Sequence, residues 1–187
     1  MSVLSIFAIQ LHTMKPKERI LEVAFRLFHQ QGYNSTGINQ IIAEAAVAKA
    51  SFYHHFKSKE DLCIAFLDVR HDYWLDALHH FISAASTPSQ KVLTAFDFLI
   101  HMNQKENFRG CSFLNILSEI PSDNTRILKV IQEHKNDLRL FFTDLLDTPE
   151  LSDHIYLLFE SSIIESQMFK SNELIHTSKN IVTRLIA

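Results

Sequence analysis

The chain is expected to be all-α: a head of short helices, one long connecting helix, and a larger helical-bundle body. Three observations predict this. Only three glycines and four prolines punctuate 187 residues. Apolar residues recur every three to four positions over long runs, and strict alternation is rare. At 47% hydrophobic the chain has enough apolar material for a substantial core.

The first helix is read over residues 16–31, with Pro16 suited to a first helical turn and Gly32 to the stop. Ile20, Leu21, Ala24, Leu27 and Phe28 line one face of it. Thr36 can N-cap a second helix reaching about residue 45, which would bury Ile38, Ile41 and Ile42. After a turn at Ala46-Val47 a third, short helix ends near Phe56. Three short helices at this spacing form a helix-turn-helix unit.

Ser58 caps the fourth helix, with Glu60 and Asp61 in its first turn, where negative charge suits the helix dipole. Leu62, Phe66, Val69, Tyr73, Ala77 and Phe81 hold the period for about six turns. Ser86-Thr87-Pro88-Ser89 breaks the pattern. Helices are then expected to about residue 102, over 111–120 up to Pro121, and over 122–146 up to Thr148-Pro149. A hairpin of two helices, 151–170 and 172–186, closes the chain.

Charge is distributed unevenly. Residues 1–60 hold seven Lys/Arg (Lys15, Lys17, Arg19, Arg26, Lys49, Lys57, Lys59) against four acids (Glu18, Glu22, Glu44, Glu60), or +3, so the rest of this −3 chain carries −6. A basic head that meets phosphate and an acidic body that does not fit this split. Cys63 and Cys111 suggest no disulfide framework, so a reducing cytoplasm is the default. Met1 to Leu11 is apolar but lacks a basic n-region and a cleavage site, and is too short to span a bilayer. Residues 1–14 are expected to be an extension, 15–60 the helix-turn-helix domain, and 61–187 the helical body. Met14 is an alternative start.

Ala24-Phe25-Arg26-Leu27-Phe28, Gly32-Tyr33, Ile41-Ile42-Ala43, Lys49 and the run from Ser51 to Leu62 together resemble the TetR family of bacterial transcriptional regulators. The likeness covers about residues 16–62. Beyond it lies a weaker local match from Arg109 to Leu114 around the Gly110-Cys111 pair. The resemblance implies a homodimer whose recognition helices enter successive major grooves of operator DNA, and a body that takes a small effector. It implies base-edge contacts from Asn39, Lys49, Ser51 and His54, with Ala50 on the same face. Phosphate contacts are implied for Thr36, Tyr53, His55 and Lys59.

Relative to that pattern, alanine stands at Ala46 and Ala50 where glycine is usual, and at Ala48 where a capping serine is usual. An alanine at positive φ is strained, and Ala48 cannot cap. Gly37 replaces a hydroxyl residue beside Thr36.

In the body, an apolar effector pocket is expected among Phe66, Tyr73, Trp74, Phe96, Leu99, Ile100, Met102, Phe113, Leu117, Phe141 and Phe142. The alternative for each is plain core packing. Asp68, His71, Asp72, Asp76, His79 and His80 share one helix, but a solvated polar face is the expected reading; no metal and no cofactor is expected. Cys111, beside Arg109 at a helix start, is a candidate redox or electrophile sensor, or else a small packing residue. Ile155, Leu158, Phe159, Ile163, Ile164, Ile175, Ile181 and Val182 are the candidate dimer interface, with closure of the monomer's own core as the alternative.

The expected function is therefore a cytoplasmic, sequence-specific DNA-binding regulator, a repressor released by a small molecule or by modification of Cys111. No nucleophile-base arrangement supports an enzyme, and no membrane association is expected.

Overall fold

The computed structural model describes residues 14–187, so the expected extension, Met14 apart, lies outside the described residues. These residues form nine α-helices and no strand. They are α1 (Pro16–Gln31), α2 (Ile38–Glu44), α3 (Lys49–His55), α4 (Lys59–Ile82), α5 (Pro88–Lys105), α6 (Ser112–Leu117), α7 (Thr125–Thr143), α8 (Pro149–Phe169) and α9 (Glu173–Leu185). They fall into two compact units. One runs through Arg70 and includes Ile116–Val130; the other comprises His71–Asn115 and Ile131–Ala187. The head thus extends about three turns further along α4 than the expected boundary near residue 60.

In the first unit, α1 starts on Pro16, with the Lys15 backbone N–H donating to Glu18 Oε2 at 2.9 Å. It stops at Gly32, whose φ of +95° favours glycine. Its buried face, Ile20, Val23, Ala24, Leu27 and Phe28, packs on α2 and α3. Phe66 of α4 meets both Phe25 and Phe28 edge-on at 5.6 Å. Phe66 is thereby a core residue of the head, which corrects its assignment to an effector pocket. Leu117 is corrected likewise: it is exposed and belongs to the segment that returns to this unit.

That segment is tied on by polar contacts. Glu119 accepts from the Asn34 backbone N–H at 2.6 Å, and Asn34 Nδ2 donates to the Glu119 carbonyl at 2.8 Å. Arg126 donates to Glu60 at 2.5 Å and to Asp61 at 2.7 Å, pinning the start of α4. Its guanidinium holds the Asp61 carboxyl below the usual carboxylate range. Ser58 caps α4 as expected, with Asp61 N–H donating to its Oγ at 3.0 Å.

The second unit is built around an aromatic core. Phe159 of α8 packs edge-on against Phe96 of α5, Phe142 of α7 and Trp74 of α4. Trp74 also meets Phe98 at 5.0 Å. Thr87 caps α5 by accepting from Gln90 N–H, and Thr148 caps α8 by accepting from Leu151 N–H. The chain reverses between α8 and α9 at Lys170, which sits at φ +51°. α9 then packs on α8 and α5. Lys179 pairs with Asp97 at 2.6 Å, and Ser162 bonds to Ser178 at 2.9 Å.

This packing corrects most of the expected dimer interface. Ile155, Phe159, Ile163, Ile175 and Val182 are buried inside the monomer's core, and Leu158 packs against it. Only Ile164 and Ile181 of that set are exposed. They belong to a second stripe, Leu157, Ile164 and Met168 on α8 and Leu174, Ile181 and Leu185 on α9, at matching steps of seven and four residues. The 100° turn per residue separates these stripes, because an α8 hydrophobic on two faces covers one in the monomer and leaves the other in solvent.

Candidate nucleic-acid interface

α2 ends in a Schellman motif. The Val47 N–H donates to the Ile42 carbonyl at 3.2 Å and the Ala46 N–H to the Ala43 carbonyl at 3.2 Å, with Ala46 left-handed at φ +50° between them. The strained alanine expected from the sequence is therefore present. α3 starts at Ala48, which makes no side-chain cap bond, in keeping with the missing hydroxyl. Left-handed backbone costs a non-glycine residue about 1–2 kcal/mol, while glycine loses about 0.5–1 kcal/mol through chain entropy. Ala46→Gly should consequently raise stability by about 0.5–1 kcal/mol, measurable by urea unfolding; equal or lower stability would refute strain at this turn.

The turn sets the roll of α3. Phe52 is fully buried and stands edge-on to Tyr53 at 5.2 Å, with Phe56 buried one turn on. On the opposite side Lys49, Ala50, Tyr53 and His54 are exposed, with Ser51 and His55 partly exposed at the flanks. The His54 and His55 rings stand edge-to-face at 4.9 Å. Asn39 is exposed on α2. Lys57, absent from the expected set, donates to the Tyr53 carbonyl at 3.3 Å, closing the end of α3. The signal that could have revealed it is its place two residues past the end of α3, where a lysine can return to the last turn's carbonyls.

Two expected contacts are corrected. Thr36 is wholly buried and its hydroxyl donates to the Gly32 carbonyl at 2.7 Å, so it neither caps α2 nor faces solvent. Gly37 holds the N-cap position, without a side-chain bond. The bond back to Gly32 closes the α1–α2 turn and uses the one hydroxyl proton. Lys59 places its ammonium 4.3 Å from the Tyr33 ring centroid, a cation–π contact. Burial pushes the Lys59 amine below its usual range, against the opposing pull of Cys63 and Glu119. Burial also raises the Tyr33 phenol to about 12.

Arg26, another basic residue of the head, is paired with Glu44 across α1 and α2. The Arg26 hydrogen bond holds the Glu44 carboxyl below its usual range. The interface offered to solvent is thus narrow: Lys49 and Lys57, with Asn39, Ser51, Tyr53, His54 and His55 around them.

In the body, the expected pocket residues Trp74, Phe96, Leu99, Met102, Phe113 and Phe142 pack against one another or the core around them, and Tyr73 and Ile100 pack at its edge. Phe141 alone of that set lines a groove of about 340 Å³, with Leu75, His79 and Ile82 of α4, Lys91 of α5, and Asp137, Leu140, Asp144 and Leu145 on the α7 side. Among the described residues no group of three or more His, Cys, Asp or Glu side chains is placed to hold a metal ion. No described helix is long and apolar enough to cross a membrane.

Cys63 is buried, and burial raises its thiol to about 12. Cys111 is partly exposed and lies 3.6 Å from Lys135 Nζ, which also bonds both oxygens of Glu160, at 2.8 and 2.6 Å. Burial pushes the Lys135 amine down, but Cys111 and Glu160 outweigh it and hold the ammonium above its usual range. Nothing in the sequence links residues 24 and 25 positions apart; the folding of the body brings the residue before α6, α7 and α8 together here.

A short exposed helix, set by a tight left-handed turn and anchored by one buried aromatic on a three-helix unit, defines a helix-turn-helix protein. Residues 20–66 match the model of the bacterial regulatory proteins of the tetR family. An HTH-type regulator of the Lactococcus lactis lacX 3′ region is 29% identical over 66% of this chain and 64% of its own length. The HTH-type regulator LmrA of Bacillus subtilis is 38% identical over 41% of each chain. The chain spans less than two thirds of the length of either relative. The fold is shared with SCO4454, a TetR-family regulator of Streptomyces coelicolor, at TM-score 0.81 and 22% identity over 99% of this chain and 95% of that one. It is also shared with reduced NemR of E. coli, at TM-score 0.77 and 18% identity over 91% and 97%. The match to the TetR family of bacterial regulators thus lies in residues 20–66, and the likeness of the described residues beyond them is one of fold.

Proposed function

We propose that this protein is a cytoplasmic homodimeric transcriptional regulator that binds a palindromic operator through α3, acting as a repressor released when its body takes up a small molecule. The observation that carries this reading is the two-sidedness of α3: Phe52 buried, and Lys49, Ala50, Tyr53 and His54 turned to solvent around it. In this reading Lys49, Asn39, Ser51 and His54 read base edges, while Tyr53, His55 and Lys57 position the helix on phosphates. Thr36 and Lys59 are left out for the reasons above.

A second copy is the natural occupant of the exposed stripe on α8 and α9, where Leu157, Ile164, Met168, Leu174, Ile181 and Leu185 stand in solvent. The effector would enter the body beside Phe141, where the groove mixes apolar walls with Lys91, Asp137 and Asp144.

Gel shifts on DNA flanking the protein's own gene test the reading. Lys49→Ala should cost about 1–3 kcal/mol of specific affinity and relax discrimination at one base pair. Lys57→Ala should weaken all sequences alike and flatten the log-affinity against log-salt slope by about one. Absence of a sequence-specific shift at moderate salt would defeat the proposal.

A second reading is favoured by the Lys135 ammonium 3.6 Å from the partly exposed Cys111: a cation beside an accessible thiol suits electrophiles or oxidants as the signal. Repeating the gel shift with oxidant on Cys111→Ser separates the two, since an unchanged response removes the thiol from the mechanism.

A further inference from the structure

The α2–α3 pair joins the rest of its unit at two places, the turn over residues 32–37 before α2 and the link over residues 56–58 after α3. One distant segment, residues 119–126, grips the chain beside both. At the first, the Asn34 backbone N–H donates to Glu119 Oε2 at 2.6 Å and Asn34 Nδ2 donates to the Glu119 carbonyl at 2.8 Å. The carboxylate lies so close to the turn that a Cβ on Gly32 would stand 2.5 Å from its Oε1. At the second, Arg126 spans the first turn of α4, donating to Glu60 at 2.5 Å and to Asp61 at 2.7 Å. Asp61 in turn holds Ser58, the end of the link, through its own N–H. Asn124 serves both sides of this joint: its Oδ1 accepts from the Ile127 N–H at 3.0 Å, capping α7, and its Nδ2 donates to Glu60 at 3.1 Å.

The partners lie 64 to 85 positions apart, all within one compact unit. The segment enters and leaves that unit through α6 and α7, each of which has its other end in the second unit. Arg126 is 59% exposed, so its ion pairs contribute little to folding stability. Their geometry matters more than their energy. A grip at one end of the α2–α3 pair would act as a hinge, whereas grips at both ends fix its tilt. Phosphate attraction tolerates a change of tilt, but hydrogen bonds to base edges do not.

We propose that Glu119 and Arg126 are positioning residues for DNA recognition, holding α2 and α3 at the tilt in which Asn39, Lys49, Ser51 and His54 meet base edges. They act through the two helices and not by touching DNA. This rests on the reading of α3 as the DNA-contacting helix.

Gel shifts of the full chain with two probes test it: DNA flanking the protein's own gene, and a random-sequence duplex of equal length. Glu119→Ala removes a negative charge and Arg126→Ala a positive one, so a general electrostatic effect would move affinity in opposite directions. Positioning predicts that both variants weaken the specific complex, by about tenfold, while random-sequence binding changes little. Glu119→Gln, which keeps an acceptor oxygen for the Asn34 N–H, should bind as the natural protein does. A merely structural role would lower the folded fraction and weaken both probes alike, which would overturn the proposal. Unchanged specific affinity in the alanine variants, opposite shifts, or a Glu119→Gln as weak as Glu119→Ala would overturn it too. If Glu119→Ala does not fold, Arg126→Ala decides by the same comparison of the two probes. A natural protein that prefers neither probe would instead defeat the regulator reading, and this one with it.

Discussion

Glu160→Gln should lower folding stability by about 3–5 kcal/mol, because it removes one partner of a buried ion pair and leaves the other charged. The side chains of Lys135 and Glu160 are only 12% and 14% exposed, and the ammonium bonds both carboxylate oxygens. A glutamine amide offers one acceptor oxygen and no charge, so the Lys135 ammonium would remain in an apolar setting with Cys111 as its other neighbour. Replacing both partners, Lys135→Met with Glu160→Leu, should restore most of the loss, since each buried charge then goes. The double-mutant cycle by denaturant unfolding checks this: two single losses that simply add would show that the pair is not coupled. The same variants bear on the thiol reading, because Lys135→Met removes the cation beside Cys111 and should slow its alkylation at neutral pH.

Phe52→Ala should cost a comparable amount, about 3–5 kcal/mol, and should abolish specific DNA binding even where the head remains folded. α3 spans seven residues, well under the length at which a helix persists unaided. Its cap residue Ala48 makes no side-chain bond, and Ala46 before it is left-handed, so both local sources of stability are weak. Burial of Phe52, with Phe56 behind it, is what holds the helix and fixes which face it turns outward. Truncation leaves a cavity where the ring stood and removes that reference for roll. Unfolding curves give the stability change, and gel shifts below the new midpoint give the binding change. Intact specific binding by Phe52→Ala would show that the turn alone orients α3.

Much of this architecture was legible in the chain. The period of the apolar residues, Pro16 and Gly32 around α1, Ser58 before α4 and Thr148-Pro149 before α8 are local signals, and local hydrogen bonding acts on them directly. The motif from Ser51 to Leu62 likewise located the exposed face of α3. Failures came where a side chain had a choice of partners, near or far in sequence. Thr36 looked like a cap until its hydroxyl turned back four residues to Gly32, and Lys59 was read as a phosphate contact, whereas its ammonium lies over Tyr33, 26 positions away. Ile155 and Ile164 are both apolar residues of one helix, yet one is in the core and the other in solvent.

By itself the sequence determined the helices, the Ser58 cap of α4, the strained turn at Ala46 and the family resemblance of the head, because propensity, capping and turn chemistry act over a few residues. Only the tertiary structure decided which of two apolar stripes on α8 and α9 was spent inside the monomer. It alone also placed Lys135 beside Cys111 and His134 beside His71. The physical reason is that burial and charge pairing depend on which helices pack together, and these partners lie 24 and 63 positions apart in the chain.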